Sequence, residues 1–203
     1  MERPLLSIGM IVKNEIRCIE RCMEALRPLR ESVSCELVIA DTGSTDGTRE
    51  IAEQYADIVF DFPWIDDFSA ARNAVMDRCS GRWFLSIDAD EYLAPNIDEL
   101  CDLLQKSESS GPDVYLITVR NYLTPEMREG LCSDFLILRI ARLGSEIRYQ
   151  GRIHESFRKN GEKFSLEQIG MLPNIVLHHD GYALESDKAR KDKTKRNLDL
   201  LDK

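Results

Sequence analysis

Residues 5 to 87 repeat one pattern: a short apolar run, a polar turn, then a segment whose apolar residues return at helical spacing. The apolar runs cover 5–12, 35–40, 58–60 and 83–87. Each is short and bounded by turn formers, so each is expected to be a buried strand. Between them, Ile16, Ile19, Met23 and Leu26 predict a helix that stops near Pro28. Ile51, Ala52 and Tyr55 predict a second, and the stretch 68–76 a third. Strands alternating with helices specify an α/β fold, with a mostly parallel, Rossmann-like sheet, helices on both faces and crossovers of one hand. Sheets of that kind bind ligands at the carboxyl ends of their strands.

The fourth run, opening on Trp83, breaks abruptly into three carboxylates, Asp88, Asp90 and Glu91. Side chains two apart on a strand point the same way, so Asp88 and Asp90 are expected to converge on one object. Convergent anions repel unless a cation, a proton or a hydrogen-bond donor stands between them. With oxygen ligands alone a hard divalent ion, Mg²⁺ or Mn²⁺, answers that need and leaves positions for water and phosphate oxygens. A solvated acidic turn closing a strand is the plain alternative. Asp41, ending the second run, is placed to hydrogen-bond a nucleoside. The loop behind it carries Gly43 and Gly47, so a ligand can approach the backbone closely. Asp46 in that loop reads equally well as a helix cap.

Beyond residue 91 a helix is expected over 96–105, a loop over 107–112 and a strand over 114–119. Stretches 135–143 and 147–154 read as strands of a smaller mixed sheet in the C-terminal half. A short strand at 175–177 leads into His178, His179 and Asp180. On a strand, adjacent histidines point to opposite sides, so one of the pair is structural. The stretch 186–203 is basic and amphipathic, with Leu198, Leu200 and Leu201 apolar, and it stops without a cap. Either the chain is cut there or this helix packs against a partner domain or a second copy.

Composition excludes several classes. A net charge of -9 argues against a protein that depends on nucleic-acid phosphate for binding. No apolar stretch approaches the roughly 20 residues that cross a bilayer, and the run after Met1 is too short for a signal peptide. Six scattered cysteines lack zinc spacing and read as free thiols in a reducing cytoplasm. Neither a Gly-x-Gly-x-x-Gly nor a Gly-Lys-Ser/Thr loop follows the first strand, which excludes a dinucleotide enzyme and a P-loop ATPase.

Four motifs then stand in a telling order: Lys13-Asn14-Glu15, the loop from Asp41 to Thr48, Phe68-Ser-Ala-Ala-Arg72-Asn73, and Asp88-Ala89-Asp90-Glu91. Together they resemble family 2 glycosyltransferases. Gly151-Arg-Ile-His154-Glu155, His179-Asp-Gly181-Tyr182 and Lys195-Arg196-Asn197 extend the resemblance to the branch often followed by helical, TPR-like repeats. The resemblance implies a GT-A fold and inverting hexosyl transfer from a nucleotide-diphosphate sugar, UDP-linked, in the cytoplasm or at the inner face of a membrane. It implies that residues 1–121 bind the nucleotide sugar and that 122–185 complete the metal and acceptor parts. Residues 186–203 are the C-terminal helix.

Carried over position by position, Glu15 and Asp41 contact the nucleobase, and Asp88, with Ala89 beside it, meets the ribose. Asp90 is the principal metal ligand of this DxD motif, helped by Asp88 and His179, and the ion is Mn²⁺ or Mg²⁺. Arg72 lies near the diphosphate, and Glu155 is the general base on the acceptor. That acceptor is a saccharide, a lipid-linked glycan or a peptide side chain.

Plainer readings stand beside these. Glu155 pairs with Arg152 or Arg158, Arg72 is a salt-bridged helix residue, and Lys193, Lys195 and Arg196 form a solvated face. Trp64 and Trp83 are core residues rather than sugar platforms. Two other functions also stay open, a sugar nucleotidyltransferase and a non-catalytic nucleotide-sugar-binding module. The former calls for a glycine-rich, Arg-bearing loop where this chain has Lys13-Asn14-Glu15.

Overall fold

The computed structural model describes residues 3–106, 111–124, 130–144 and 146–181, with Lys191, Thr194, Lys195, Asn197, Leu198 and Leu200 beyond them. Tyr182, Lys193, Arg196, Leu201 and most of the expected helix over 186–203 lie outside the described residues, as do 107–110 of the expected loop.

Strands β1 (Leu6–Val12), β2 (Cys35–Asp41), β3 (Ile58–Asp61) and β4 (Trp83–Ser86) are the four apolar runs, and they pair in parallel in the order β3-β2-β1-β4. Their register brings the carboxyl ends level: Val12 lies beside Asp41, and Asp41 beside Asp61. Alternate residues feed two cores. Leu37 and Ile39 of β2 join one apolar cluster with α1 (Ile19–Ser32) and α2 (Thr48–Tyr55). Val38 and Ala40 join the other with α3 (Phe68–Met76). A strand buried on both faces has to be apolar at every position, which is why these runs are continuous rather than alternating.

Both ends of the first helix differ from expectation, and the helix expected over 96–105 begins at Asp98. Helix α1 begins at Ile19, and Ile16 is left 44% exposed, because residues 15–18 form a turn in which Cys18 and Ile19 both donate to the Glu15 carbonyl. It then runs past Pro28 to Ser32. Leu29, fully buried, holds the last turn to the core, and the Ser32 hydroxyl donates to the Pro28 carbonyl at 2.7 Å. Burial here outweighs the intrinsic cost of a helical proline.

The C-terminal half does not build a separate mixed sheet. Strands β5 (Glu91–Leu93), β6 (Val114–Tyr122), β7 (Cys132–Arg142) and β10 (Ile169–His179) continue the first sheet into eight strands, β3-β2-β1-β4-β7-β6-β10-β5. Strand β7 is antiparallel to both β4 and β6, β10 is parallel to β6, and β5 is antiparallel to β10. The sheet is therefore mixed, and only its first four strands form the expected parallel array. Helix α4 (Asp98–Gln105) packs Leu100 and Leu104 into the first cluster, beneath β10.

The second sheet is a hairpin alone, β8 (Ile147–Gln150) with β9 (Ser156–Lys159). The single strand expected over 147–154 stops at Gln150 because the chain turns there, with Gly151 at φ +108° and His154 at φ 55°. The hairpin is anchored to α3 through Asn73, whose side-chain amide mimics a neighbouring strand. It accepts from the Tyr149 N–H and donates to the Tyr149 carbonyl, each at 2.9 Å. Trp83 is fully buried, as are Phe84 and Phe157, and all six cysteines are free.

Candidate active site

A cavity of about 830 Å³ opens at the carboxyl ends of the strands. Its wall takes Lys13 from the end of β1, Thr42 from β2, the turn 88–91 from β4, Asn121 from β6 and His179 from β10. Because β7 runs the other way, it contributes Ile137 and Arg139 from its middle.

The acid turn is not an extension of the strand. Strand β4 ends at Ser86, so Asp88, Ala89 and Asp90 lie in a tight turn before β5, where side chains do not alternate with a period of two. The expected convergence of Asp88 and Asp90 is corrected accordingly. Both line the cavity, but each has its own partners. Asp88 Oδ1 accepts from Arg72 Nη2 at 2.8 Å and Asp88 Oδ2 from Arg139 Nη2 at 3.1 Å. Burial pushes the Asp88 carboxyl up, but the two guanidiniums outweigh it and hold the group well below the usual carboxylate range.

Glu91 closes the turn. Its Oε2 accepts from the Asp88 N–H at 2.9 Å, and its Oε1 accepts from Arg139 Nη2. Burial is the larger influence on Glu91 and raises it to about 7. Asp90 faces His179 instead, with Oδ2 3.1 Å from Nε2. His179 Nδ1 lies against Asn121 Oδ1. Burial lowers the His179 pKa, yet the Asp90 contact prevails and raises it. His178 points away, its Nδ1 2.9 Å from the Tyr122 hydroxyl.

Gly181 keeps the Asp90–His179 junction open: a Cβ there would lie 2.2 Å from Asp90 Oδ2 and 2.7 Å from His179 Nε2. Among the described residues no group of three or more His, Cys, Asp or Glu side chains is arranged to hold a metal ion. Asp90 and His179 are the carboxylate and imidazole of the acid turn's surroundings that face each other rather than an arginine. Asp88 has both oxygens engaged by arginine.

Arg72 connects the acid turn to Glu155. Helix α3 is capped by Asp67, whose Oδ1 accepts from the Ala70 N–H at 3.0 Å. Its buried face, which carries Ala71, Val75 and Met76, takes Arg72 inward. All three Arg72 nitrogens are used: Nε to Glu155 Oε1 at 2.6 Å, Nη1 to Ser86 Oγ at 3.1 Å and Nη2 to Asp88. Glu155 therefore pairs with Arg72, not with Arg152 or Arg158. It is not among the residues that line this cavity, and the Phe68 N–H to Arg152 carbonyl bond of 3.0 Å holds its turn against α3.

The loops that follow β1 and β2 are stapled together. Asn14 Oδ1 accepts from the Thr45 N–H at 2.8 Å, and Asp46 accepts from the Ile16 N–H at 3.2 Å and the Thr48 hydroxyl at 2.6 Å. Asp46 is thus a bracket. Asp41 Oδ1 accepts from the N–H groups of Gly43 (3.1 Å) and Ser44 (2.8 Å), which shapes the loop that puts Thr42 on the wall. Glu15 is on the wall, and its burial there raises it to about 7, partly offset by the Cys18 thiol that donates to it at 3.2 Å.

This arrangement has known counterparts. The family model described as glycosyl transferase family 2 matches residues 7–171. The chain belongs to glycosyl transferase family 2. Among curated relatives of this family 2 domain, the TPR repeat-containing protein Synpcc7942_0270 of Synechococcus elongatus is 31% identical over 183 residues. That match covers 87% of this chain and 42% of the relative. The SPbeta prophage-derived glycosyltransferase SunS of Bacillus subtilis is 27% identical, covering 99% of this chain and 45% of the relative. The chain thus spans a little under half the length of these relatives.

Among solved structures, residues 1–349 of S. aureus TarS in complex with UDP-GlcNAc superpose with a TM-score of 0.61 at 16% identity. The match covers 91% of this chain and 60% of that one. The mannosyltransferase PcManGT from Pyrobaculum calidifontis, in complex with GDP-Man and Mn²⁺, gives 0.60 at 13%, covering 99% and 63%. At those identities the likeness is one of fold, and the mixed sheet with helices on both faces is consistent with a GT-A core.

Several wall residues of the family 2 domain went unnoticed in the sequence. Arg139 is a charge in the middle of an apolar strand, a signal that it is paired or functional. Asp180, 2% exposed, bonds Arg21 and Tyr92 and ties the end of β10 to α1 and β5. Trp64, weighed as a core residue with the sugar-platform reading left open by its irregular segment between Pro63 and Asp66, is on the wall, its Nε1 donating to Asp66 at 2.9 Å and its ring edge-on to Phe68.

Proposed function

We propose that this domain transfers a hexosyl group, with inversion at the anomeric carbon, from a UDP-linked sugar to an acceptor hydroxyl. The observation that carries the reading is one cavity at the ends of parallel strands. On its wall Asp90 meets His179, and Asp88 is held ionised by two arginines. The two solved relatives of like fold that hold UDP-GlcNAc and GDP-Man support a nucleotide-sugar donor.

In this reading Glu15 and Asp41, whose Oδ2 makes no hydrogen bond among the described residues, address the nucleobase, and Asp88 with Ala89 addresses the ribose. Asp90 and His179 would hold Mn²⁺ or Mg²⁺. When bound, such an ion acts as a Lewis acid on the charge that develops on the departing diphosphate. Arg72 contributes through the groups it orients, Asp88 on the donor side and Glu155 on the acceptor side. Glu155 Oε2, which has no partner among the described residues, takes the acceptor proton. The acceptor oxygen bonds to C1, and the C1–O bond to phosphate breaks with its electron pair going to the diphosphate. The acceptor is a saccharide, a lipid-linked glycan or a peptide side chain. No helix among the described residues is long and apolar enough to cross a membrane.

Thermal unfolding with UDP or GDP, with and without Mn²⁺, tests the reading. A ligand at a hundred times its Kd stabilises by about 2.7 kcal/mol. A rise with UDP that needs Mn²⁺ is expected. No rise with either nucleotide, in either condition, defeats it.

A further inference from the structure

Two guanidiniums flank Asp88, and they differ in what remains available. Arg72 engages every nitrogen with protein oxygen. Arg139, only 9% exposed, uses Nη2 alone, toward Asp88 and Glu91. Its Nε is buried without a partner, and its Nη1 makes no hydrogen bond to any described residue. Buried donors are ordinarily matched, so unmatched ones on a cavity wall mark a place for an acceptor from outside the protein.

The acids around Arg139 cannot supply that acceptor. Asp88 has both oxygens taken, and Glu91 has one on Arg139 Nη2 and one on the Asp88 N–H. Those same bonds fix the guanidinium plane from two sides, so the fork is preorganised beside Asp90 and His179. A fixed, planar fork matches phosphate oxygens in a way a flexible ammonium does not.

We infer that Arg139 is the arginine that binds the donor's diphosphate, and that Arg72 positions Asp88 and Glu155 without touching the donor. This rests on the nucleotide-sugar reading above. Arg139 then donates to the phosphate oxygen that receives the electron pair when the C1–O bond breaks.

Calorimetric titration of UDP, UMP and uridine, repeated with GDP, GMP and guanosine, tests the assignment in the presence of Mn²⁺. For Arg139→Met, affinity for the diphosphate should fall about tenfold to a hundredfold while the nucleoside is held as before. Arg72→Met should keep the ratio of diphosphate to monophosphate affinity. Methylguanidinium added to Arg139→Ala should restore diphosphate binding, a rescue that a purely structural arginine would not show. Should Arg139→Met fail to fold, Arg139→Lys decides, since it keeps the charge and loses the fork, and its ratio should drop at unchanged melting temperature.

An unaltered ratio in these Arg139 variants, or equal losses for nucleoside and diphosphate, overturns the assignment while leaving the donor reading intact. A wild-type protein that binds neither diphosphate overturns both.

Discussion

The two ends of the sheet are built on different terms. The strands β1, β2 and β4 are covered on both faces, and their residues alternate between two cores. The far end rests on the long hairpin of β6 and β7, where Phe135, Leu136 and Ile137 are consecutively exposed at 54%, 48% and 38%. The first region lines the cavity with Glu15, Arg72, Asp88 and Asp90. The second lines it with Asn121, Arg139 and His179, while the turn between β8 and β9 sets Glu155 against Arg72. A site whose acids stand on a rigid floor and whose completing groups stand on a less buried wall can keep one chemistry while its wall varies.

The sharpest way to break that division is to remove one group from each side of the junction. Asp90→Ala should lower turnover about 10³-fold or more and abolish the Mn²⁺ dependence of UDP binding, with little loss of stability, because the Asp90 side chain is part-exposed and packs into neither apolar cluster. His179→Ala should do nearly the same, and the double variant should be little worse than either. Turnover kinetics across this double-mutant cycle measure the coupling. Additive losses would show that floor and wall act separately.

Next in size is the acceptor side. Glu155→Gln should slow transfer about 10²- to 10⁴-fold while donor binding persists. If single-turnover transfer proceeds at the wild-type rate, Glu155 serves only to hold Arg72. Stability sharpens the comparison differently. Phe84→Ala, at a fully enclosed position, should cost about 3–5 kcal/mol in urea denaturation. Leu136→Ala on the exposed hairpin should stay within about 0.5 kcal/mol. Equal costs would mean that the two regions do not differ as their burial says.

The same contrast explains what was legible in the sequence. The four parallel strands stood out because double-sided burial leaves an unbroken apolar run, as in Leu37, Val38, Ile39 and Ala40. The last sheet strands did not. Strand β5 has three residues, too few for any period, and β10 is interrupted at Pro173 and shifts register between Leu172 and Val176. Site residues followed suit. Asp88, Asp90 and His179 were visible because acids or histidines ended apolar runs. Their geometry was not, since whether Asp88 faces Asp90 or two arginines is decided by Arg72 and Arg139, which arrive from 16 and 51 positions away. Arg139 was hidden for the opposite reason, a single charge inside the apolar run 135–141.

The smallest expected effect concerns Glu15, on the floor of the cavity. Burial raises it from its ordinary 4.5 to about 7, with the charges of Asp90 and Asp88 adding to the rise. A carboxyl whose folded pKa stands above its unfolded one is held more tightly as the acid. Below the unfolded value both states are protonated and nothing is lost. As pH rises from about 4.5 through 7 the unfolded chain releases its proton first, so stability falls, and above 7 the loss is complete. Removing the ionisable group removes that loss. Glu15→Gln should therefore match the wild type near pH 4.5 and exceed it by about 1–3 kcal/mol at pH 8, read by urea denaturation. A difference that does not change with pH would mean that water reaches Glu15 freely, and the nucleoside end of the floor would then be as open as the wall opposite.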